Sequence, residues 1–171
     1  MNKYLLFFIC LSLLISSCSK NEDSSPTTEI ESLISGIKIA ESESNKYQWD
    51  LNSQKAKLNE KKGSMIFVKP NLKFYKDNKV VSTITAEKGE LNLNTRDTVL
   101  TNNVIVNSKT EDSLLKTEKL LFSAAKKKIW TEEKVTVYRQ NTIVTGKGLT
   151  ANPDLSEIEI RNQETHLGSL K

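Results

Sequence analysis

The chain is poor in the residues that most enzymes use for chemistry. Among 171 residues there is one histidine, His166, and there are two cysteines, Cys10 and Cys18. That supply has no spacing for a transition-metal site, so no metal and no other cofactor is expected. Adjacent acids such as Glu132-Glu133 fall at an expected turn and point different ways on a strand, which gives a glycosidase-like carboxylate pair no geometric support. Gly146-Lys147-Gly148 lacks the spacing and the Ser or Thr of a phosphate loop. No catalytic residue emerges, and an enzyme is not expected. The formal net charge of +4 is too weakly basic to point to nucleic acid. Clustered exposed aromatics and acidic calcium loops are also missing, which weakens the competing reading of a lipid-anchored β-sandwich adhesion or carbohydrate-binding lipoprotein.

No apolar run reaches the roughly 20 residues that a membrane-crossing helix needs. The longest, Tyr4 to Ile15, is broken by Ser12 and follows a single positive side chain, Lys3. It reads as a secretory signal over residues 1–17. Its end, Leu14-Ile15-Ser16-Ser17-Cys18, resembles a bacterial lipobox, which makes Cys18 the lipidated first residue of the mature protein. An ordinary signal peptide cut beside a cysteine is the plainer alternative. With Cys10 removed and Cys18 acylated, no intramolecular disulfide is available and the fold rests on its core. The remaining chain of about 154 residues suits one domain. Residues 18–35 read as the lipidated cysteine and a polar flexible tether, 36–162 as the folded domain and 163–171 as a disordered tail. Glu29 to Ile39 supports two readings, helical by the spacing of Ile30, Leu33, Ile34 and Ile37, extended by the alternation of Ile37 and Ile39.

What the sequence does contain is alternation. Trp49 and Leu51 straddle Asp50, Leu72 and Phe74 straddle Lys73, and Leu91 and Leu93 are set among Glu90, Asn92 and Asn94. Val135 and Val137 flank Thr136 in the same way. Period-two patterns send alternate side chains to opposite faces of a sheet. Turn residues separate the runs at Asp77-Asn78, Asn94 to Asp97, Lys126 to Lys128, Asn141 and Asn152-Pro153-Asp154. A strand-turn-strand unit over Val81 to Asn107 returns about 30 residues later and again from Thr145, which implies copies stacked into one elongated sheet with a continuous apolar interior. The class is all-β and antiparallel, because parallel pairing needs crossover helices that this pattern does not supply. Gly146 and Gly148 inside a strand mark a bulge or a close backbone approach.

The order of elements then resembles a family. Trp49-Asp50-Leu51, Phe67-Val68-Lys69-Pro70 before Leu72 and Phe74, Thr83 to Gly89, Asn103 to Val106, Leu114 to Glu118 and Thr145 to Leu149, all behind a lipobox, are similar to the LptC family of lipopolysaccharide-export proteins. The resemblance implies a twisted, boat-shaped antiparallel β-jellyroll with an open apolar groove. It implies a periplasmic component that receives lipopolysaccharide from an inner-membrane ABC transporter and passes it to a downstream LptA-like jellyroll. In that picture Trp49, Leu51, Phe67, Leu72, Phe74 and Ile84 contact acyl chains, as do Leu91, Val104, Val106, Val135, Val137, Ile143 and Leu149. The strand from Ser156 to Asn162, with Ile158 and Ile160, is the expected edge toward the downstream partner, and Tyr47 to Asn52 the expected edge toward the transporter. Two departures stand out. Many members use an uncleaved amino-terminal helix where this chain is expected to carry a lipid anchor to the inner membrane, and Ser19 follows the cysteine where aspartate is the better-known retention signal.

Overall fold

The structure, a computed structural model, describes residues 32–44 and 46–167. The alternating runs become strands β1 (Ser32–Glu43), β2 (Lys46–Asn59), β3 (Ser64–Val68), β4 (Asn71–Lys76), β5 (Lys79–Thr85) and β6 (Lys88–Asn92). β7 (Thr98–Ser108), β8 (Ser113–Ser123), β9 (Lys128–Arg139), β10 (Thr142–Ala151), β11 (Ile158–Ile160) and β12 (Glu164–Leu167) complete one antiparallel sheet. Among the described residues there is no helix. The ambiguous segment before Ile39 is extended, and β1 and β12 carry the sheet beyond 36–162 at both ends.

Several of these strands are halves of longer ones. β3 and β4 pair with β2 in one register, Lys55 opposite Val68 and Asn52 opposite Asn71, so they form a single strand bent at Lys69-Pro70. β5 and β6 are bent in the same way at Ala86-Glu87, and β11 and β12 lie end to end along β10. The remaining long strands are interrupted at the same level. Gly36, with φ of 63°, marks the place in β1, Asn102 and Asn103 with φ of 64° and 52° mark it in β7, and Gly148 with φ of 82° marks it in β10. Glycine enters the left-handed region without steric cost and asparagine tolerates it better than most residues. Register shifts between Thr117 and Leu121 and between Lys147 and Leu149 continue the line through β8, β9 and β10.

These breaks form a crease across the whole sheet and divide it into two layers. The first contains Trp49, Leu51, Leu72, Phe74, Ile84, Val106, Leu115 and Val137; the second contains Ala56, Phe67, Leu91, Leu100, Leu120, Phe122 and Ile129. An irregularity of one residue reverses the alternation beyond it. In β2 the inward buried positions are therefore 49, 51 and 53 on one side of the crease and 56 on the other, so both layers turn their apolar faces inward. They meet in one hydrophobic cluster. Phe122 of the second layer stands edge-on to Trp49 and Phe74 of the first, with ring centroids 5.8 Å and 4.9 Å away. The result is an antiparallel jellyroll folded into a trough.

Tight reversals close the outer ends of the strands. Asp77 and Asn78 both have positive φ, as a two-residue hairpin that follows the strand twist requires. Asn92 Oδ1 accepts hydrogen bonds from the amides of Asn94 and Thr95. On the outer face of the first layer, the buried Asp50 carboxylate accepts a hydrogen bond from Tyr75 Oη at 2.6 Å and one from Asn52 Nδ2 at 2.5 Å, with Lys38 Nζ at 3.7 Å. A buried charge needs such partners.

Candidate functional site

The interior between the layers is the largest feature that the fold creates. Near the crease it is closely filled: Leu51, Phe67, Ile84, Leu100, Leu115 and Val135 are completely buried. Toward the free rim it loosens. A cavity of about 230 Å³ opens there between Trp49, Phe74, Tyr75 and Val81 of one layer and Phe122, Ala124 and the Asn152-Pro153-Asp154 turn of the other, with Glu41, Lys76 and Lys127 around its mouth. A second cleft shares Glu41, Trp49 and Ala124 and adds Arg96. The floor of the mouth is therefore aromatic and its border is charged.

Three contacts tie the rim across the opening. Lys127 pairs with Glu43 at 3.2 Å. Ser108 Oγ donates to the Asp154 carbonyl at 2.5 Å, and Arg139 donates to the Leu155 carbonyl at 3.0 Å while pairing with Glu111 at 2.8 Å. Leu155 itself is completely buried. The Trp49 indole N–H donates to Glu41 at 2.8 Å, which satisfies its one donor at the boundary between apolar interior and water.

Twelve of the thirteen expected groove residues are buried in this interior: Trp49, Leu51, Phe67, Leu72, Phe74, Ile84, Leu91, Val104, Val106, Val135, Val137 and Leu149. Ile143 is a correction. It stands opposite Tyr138, while Val144 stands opposite Val137. Directly paired residues share a face, so Ile143 lies on the outer surface and Val144 takes the inward place. Counting back from Leu149 gives the opposite answer because the shift at Lys147 to Leu149 reverses the alternation. Phe122, Leu100, Leu115, Leu120 and Ile129 are inward residues beyond those expected. Leu114-Leu115 and Leu120-Leu121 are doublets in which pattern alone does not say which member points inward.

The glycine expectation is met by close approach. A Cβ on Gly146 would lie 2.4 Å from Ile160 Cγ2 and 2.9 Å from the Arg161 carbonyl, and one on Gly148 would meet the Arg161 guanidinium. Arg161 bonds both ways here, accepting from Lys147 N and donating to the Gly148 carbonyl. The edges of the sheet differ in part from expectation. Ile158 and Ile160 do lie in an edge strand on β10, and β12 continues that edge, while Ser156 sits in the turn before it. Tyr47 to Asn52 is not an edge, because β1 pairs along β2 and covers it. The free edge at that end is β1. Cys18 lies outside the described residues.

No group of three metal-ligating side chains occurs among the described residues, and no described helix is long and apolar enough to cross a membrane. No curated protein matches the chain in sequence. Its fold is similar to that of LptH, the LptA homologous periplasmic component of the lipopolysaccharide transport device from Pseudomonas aeruginosa, with a TM-score of 0.55 over 71% of this chain and 95% of that one. At 7% identity that likeness shows the shared fold alone. The sequence profile described as "Lipopolysaccharide-assembly, LptC-related" matches residues 4–166, which is nearly the whole chain. The chain therefore belongs to the LptC-related family, a family of lipopolysaccharide-assembly proteins rather than of enzymes.

Proposed function

We propose that this protein, held at the inner membrane by acylated Cys18, takes lipopolysaccharide from an inner-membrane ABC transporter into the trough and passes it to a downstream LptA-like jellyroll. The observation that carries the reading is the continuous apolar interior, shared by both layers and loosened at one rim. Burial of each methylene is worth about 0.8 kcal/mol, so several acyl chains crossing water unshielded face a barrier on the order of tens of kcal/mol. A trough lowers that barrier along its whole length. Because similar grooves offer similar environments, transfer between them is nearly isoenergetic, and ATP hydrolysis in the transporter supplies direction.

The rim cavity of about 230 Å³ and the adjoining cleft of about 540 Å³ together offer no more than the roughly 300–1,000 Å³ of one ordinary small-ligand pocket. Entry of a lipid with several chains therefore requires the layers to part about the crease, with the rim contacts of Lys127, Ser108 and Arg139 released. β1 and the β11–β12 edge offer unpaired backbone groups for sheet extension into the transporter on one side and the downstream jellyroll on the other.

The test is to purify the full chain from membranes in mild detergent and to extract its bound lipid. Lipopolysaccharide is expected, and Cys18→Ser is expected to shift the protein from the membrane to the soluble periplasmic fraction. A chain free of lipopolysaccharide contradicts the conduit, and a Cys18→Ser chain still held in the membrane contradicts the anchor.

A further inference from the structure

The outer face of the second layer differs from that of the first at the corner where β1 begins. Leu33 is 71% exposed and Val68 49% exposed, the two large apolar side chains most open to water among the described residues. Cross-strand register puts both on the same outer face, two strands apart in adjacent rows. One row runs Leu33, Lys57, Ile66, Glu90, and the next runs Ser35, Lys55, Val68, Lys88. Neighbouring strands lie about 4.8 Å apart, so the four-strand patch is roughly 15 Å wide. Lys69, also exposed, adjoins it at the end of β3. No ion pair among the described residues joins Lys55, Lys69 or Lys88 to an acid. Among the described residues the acids at this corner are Glu87 and Glu90, and Glu90 already accepts a hydrogen bond from Ser64 Oγ at 2.8 Å. On the outer face of the first layer the row Asp50, Lys73, Thr83, Asn107 is polar, and its apolar continuation Leu114, Tyr138, Ile143 is half-buried.

We propose that this corner rests on an anionic phospholipid leaflet, with Leu33 and Val68 at headgroup depth and Lys55, Lys69 and Lys88 against lipid phosphates. The inference rests on the lipid anchor at Cys18. Chain length and position select the occupant. From Cys18 to Ser32 there are 14 residue steps, which span at most about 50 Å when fully extended. They join the sheet one residue before Leu33. The anchor thus delivers this corner to the bilayer before any other part of the domain, at a high effective concentration. Interleaved lysine and aliphatic side chains suit a surface that is anionic outside and apolar just beneath, since lysine stems lie along apolar surface while their charges stay in water. An acidic protein surface would match the lysines but leave Leu33 and Val68 without a use. Contact at one corner tilts the domain and leaves the β11–β12 edge directed away from the membrane.

The test uses the full lipidated chain carrying Val68→Cys, whose engineered thiol is the only free one because Cys10 is removed and Cys18 acylated. An environment-sensitive fluorophore on that thiol is compared in phosphatidylcholine vesicles and in vesicles that also contain phosphatidylglycerol, with headgroup-attached quenchers. Asn107→Cys, on the outer face of the first layer, is the control. The expected result is quenching at position 68 in the anionic vesicles only, none at 107, and loss on adding Lys55→Glu and Lys88→Glu. Each lysine removed is expected to weaken the contact about fivefold. Equal exposure of position 68 in both vesicles, in a chain that floats with them, overturns this proposal and leaves the anchor standing. A chain that floats with neither overturns both. Burial of the label in detergent without vesicles means that another copy of the chain covers the corner, and overturns the proposal as well.

Discussion

The crease and the rim of the trough are built from the same kinds of side chain and have opposite physical characters. Phe67, close to the crease, is completely buried, whereas Phe74 and Val81 at the rim keep 6% and 9% of their surface and border the cavity. Alternation places Phe67 and Phe74 inward, and the register shift between Phe74 and Tyr75 turns Val81 inward beside them. Depth from the crease then decides whether an inward residue holds the layers together or lines the opening between them. Tight packing and openness are separated along a single strand, so that under the proposed function the rim can widen for lipid without dissolving the core.

The largest expected effect tests that separation directly. Phe67→Ala should lower unfolding free energy by about 3–5 kcal/mol, because nothing near the crease can collapse into the gap. Phe74→Ala should cost about 3 kcal/mol or less, since space already adjoins it and Trp49 and Phe122 can turn into the hole. Urea denaturation of both variants checks the ranking, and equal losses would break the comparison. A smaller, local effect is expected from Gly146→Val, whose added carbon would collide with Ile160 and the Arg161 carbonyl. It should cost about 1–3 kcal/mol and speed amide exchange in β11 and β12 while leaving β2 protected. Faster exchange in β2 as well would mean that the downstream edge and the crease unfold together. The smallest effect belongs to the Glu43–Lys127 pair, whose side chains are 68% and 64% exposed. Glu43→Gln should change stability by less than about 0.5 kcal/mol. A larger loss in a thermal melt would make the rim contact a structural clasp instead of a loose tie.

Much of this arrangement was legible in the sequence, and the failures have one cause. Strand faces followed from alternation wherever a strand stayed within one layer, as with Trp49 and Leu51, Leu72 and Phe74, or Val135 and Val137. The repeat of about 30 residues corresponds to successive strand pairs, β6 with β7, β8 with β9 and β10 with β11. The crease itself was hidden, because a bulge leaves no mark in hydrophobicity and reverses the alternation beyond it. Alternation therefore puts Ile143 on the wrong face, and a run of Leu120, Leu121 and Phe122 does not show that Phe122 joins the two layers at the rim. β1 was obscured for a related reason: Gly36 breaks its pattern, so that Ile34 and Ile37 mimic helical spacing. The positive-φ Asn102-Asn103 pair, by contrast, resembled an ordinary strand segment and proved to be part of the crease.

The most direct measurement is site-specific photo-crosslinking in cells with an active transporter. The inward Phe74 and Val106 are compared with their outward neighbours Lys73 and Ile105, which pair with Asp50 and Lys116 on the outer face. The trough account predicts lipopolysaccharide adducts at Phe74 and Val106 and none at Lys73 and Ile105. Equal labelling of both faces, or adducts confined to the outer one, would contradict it.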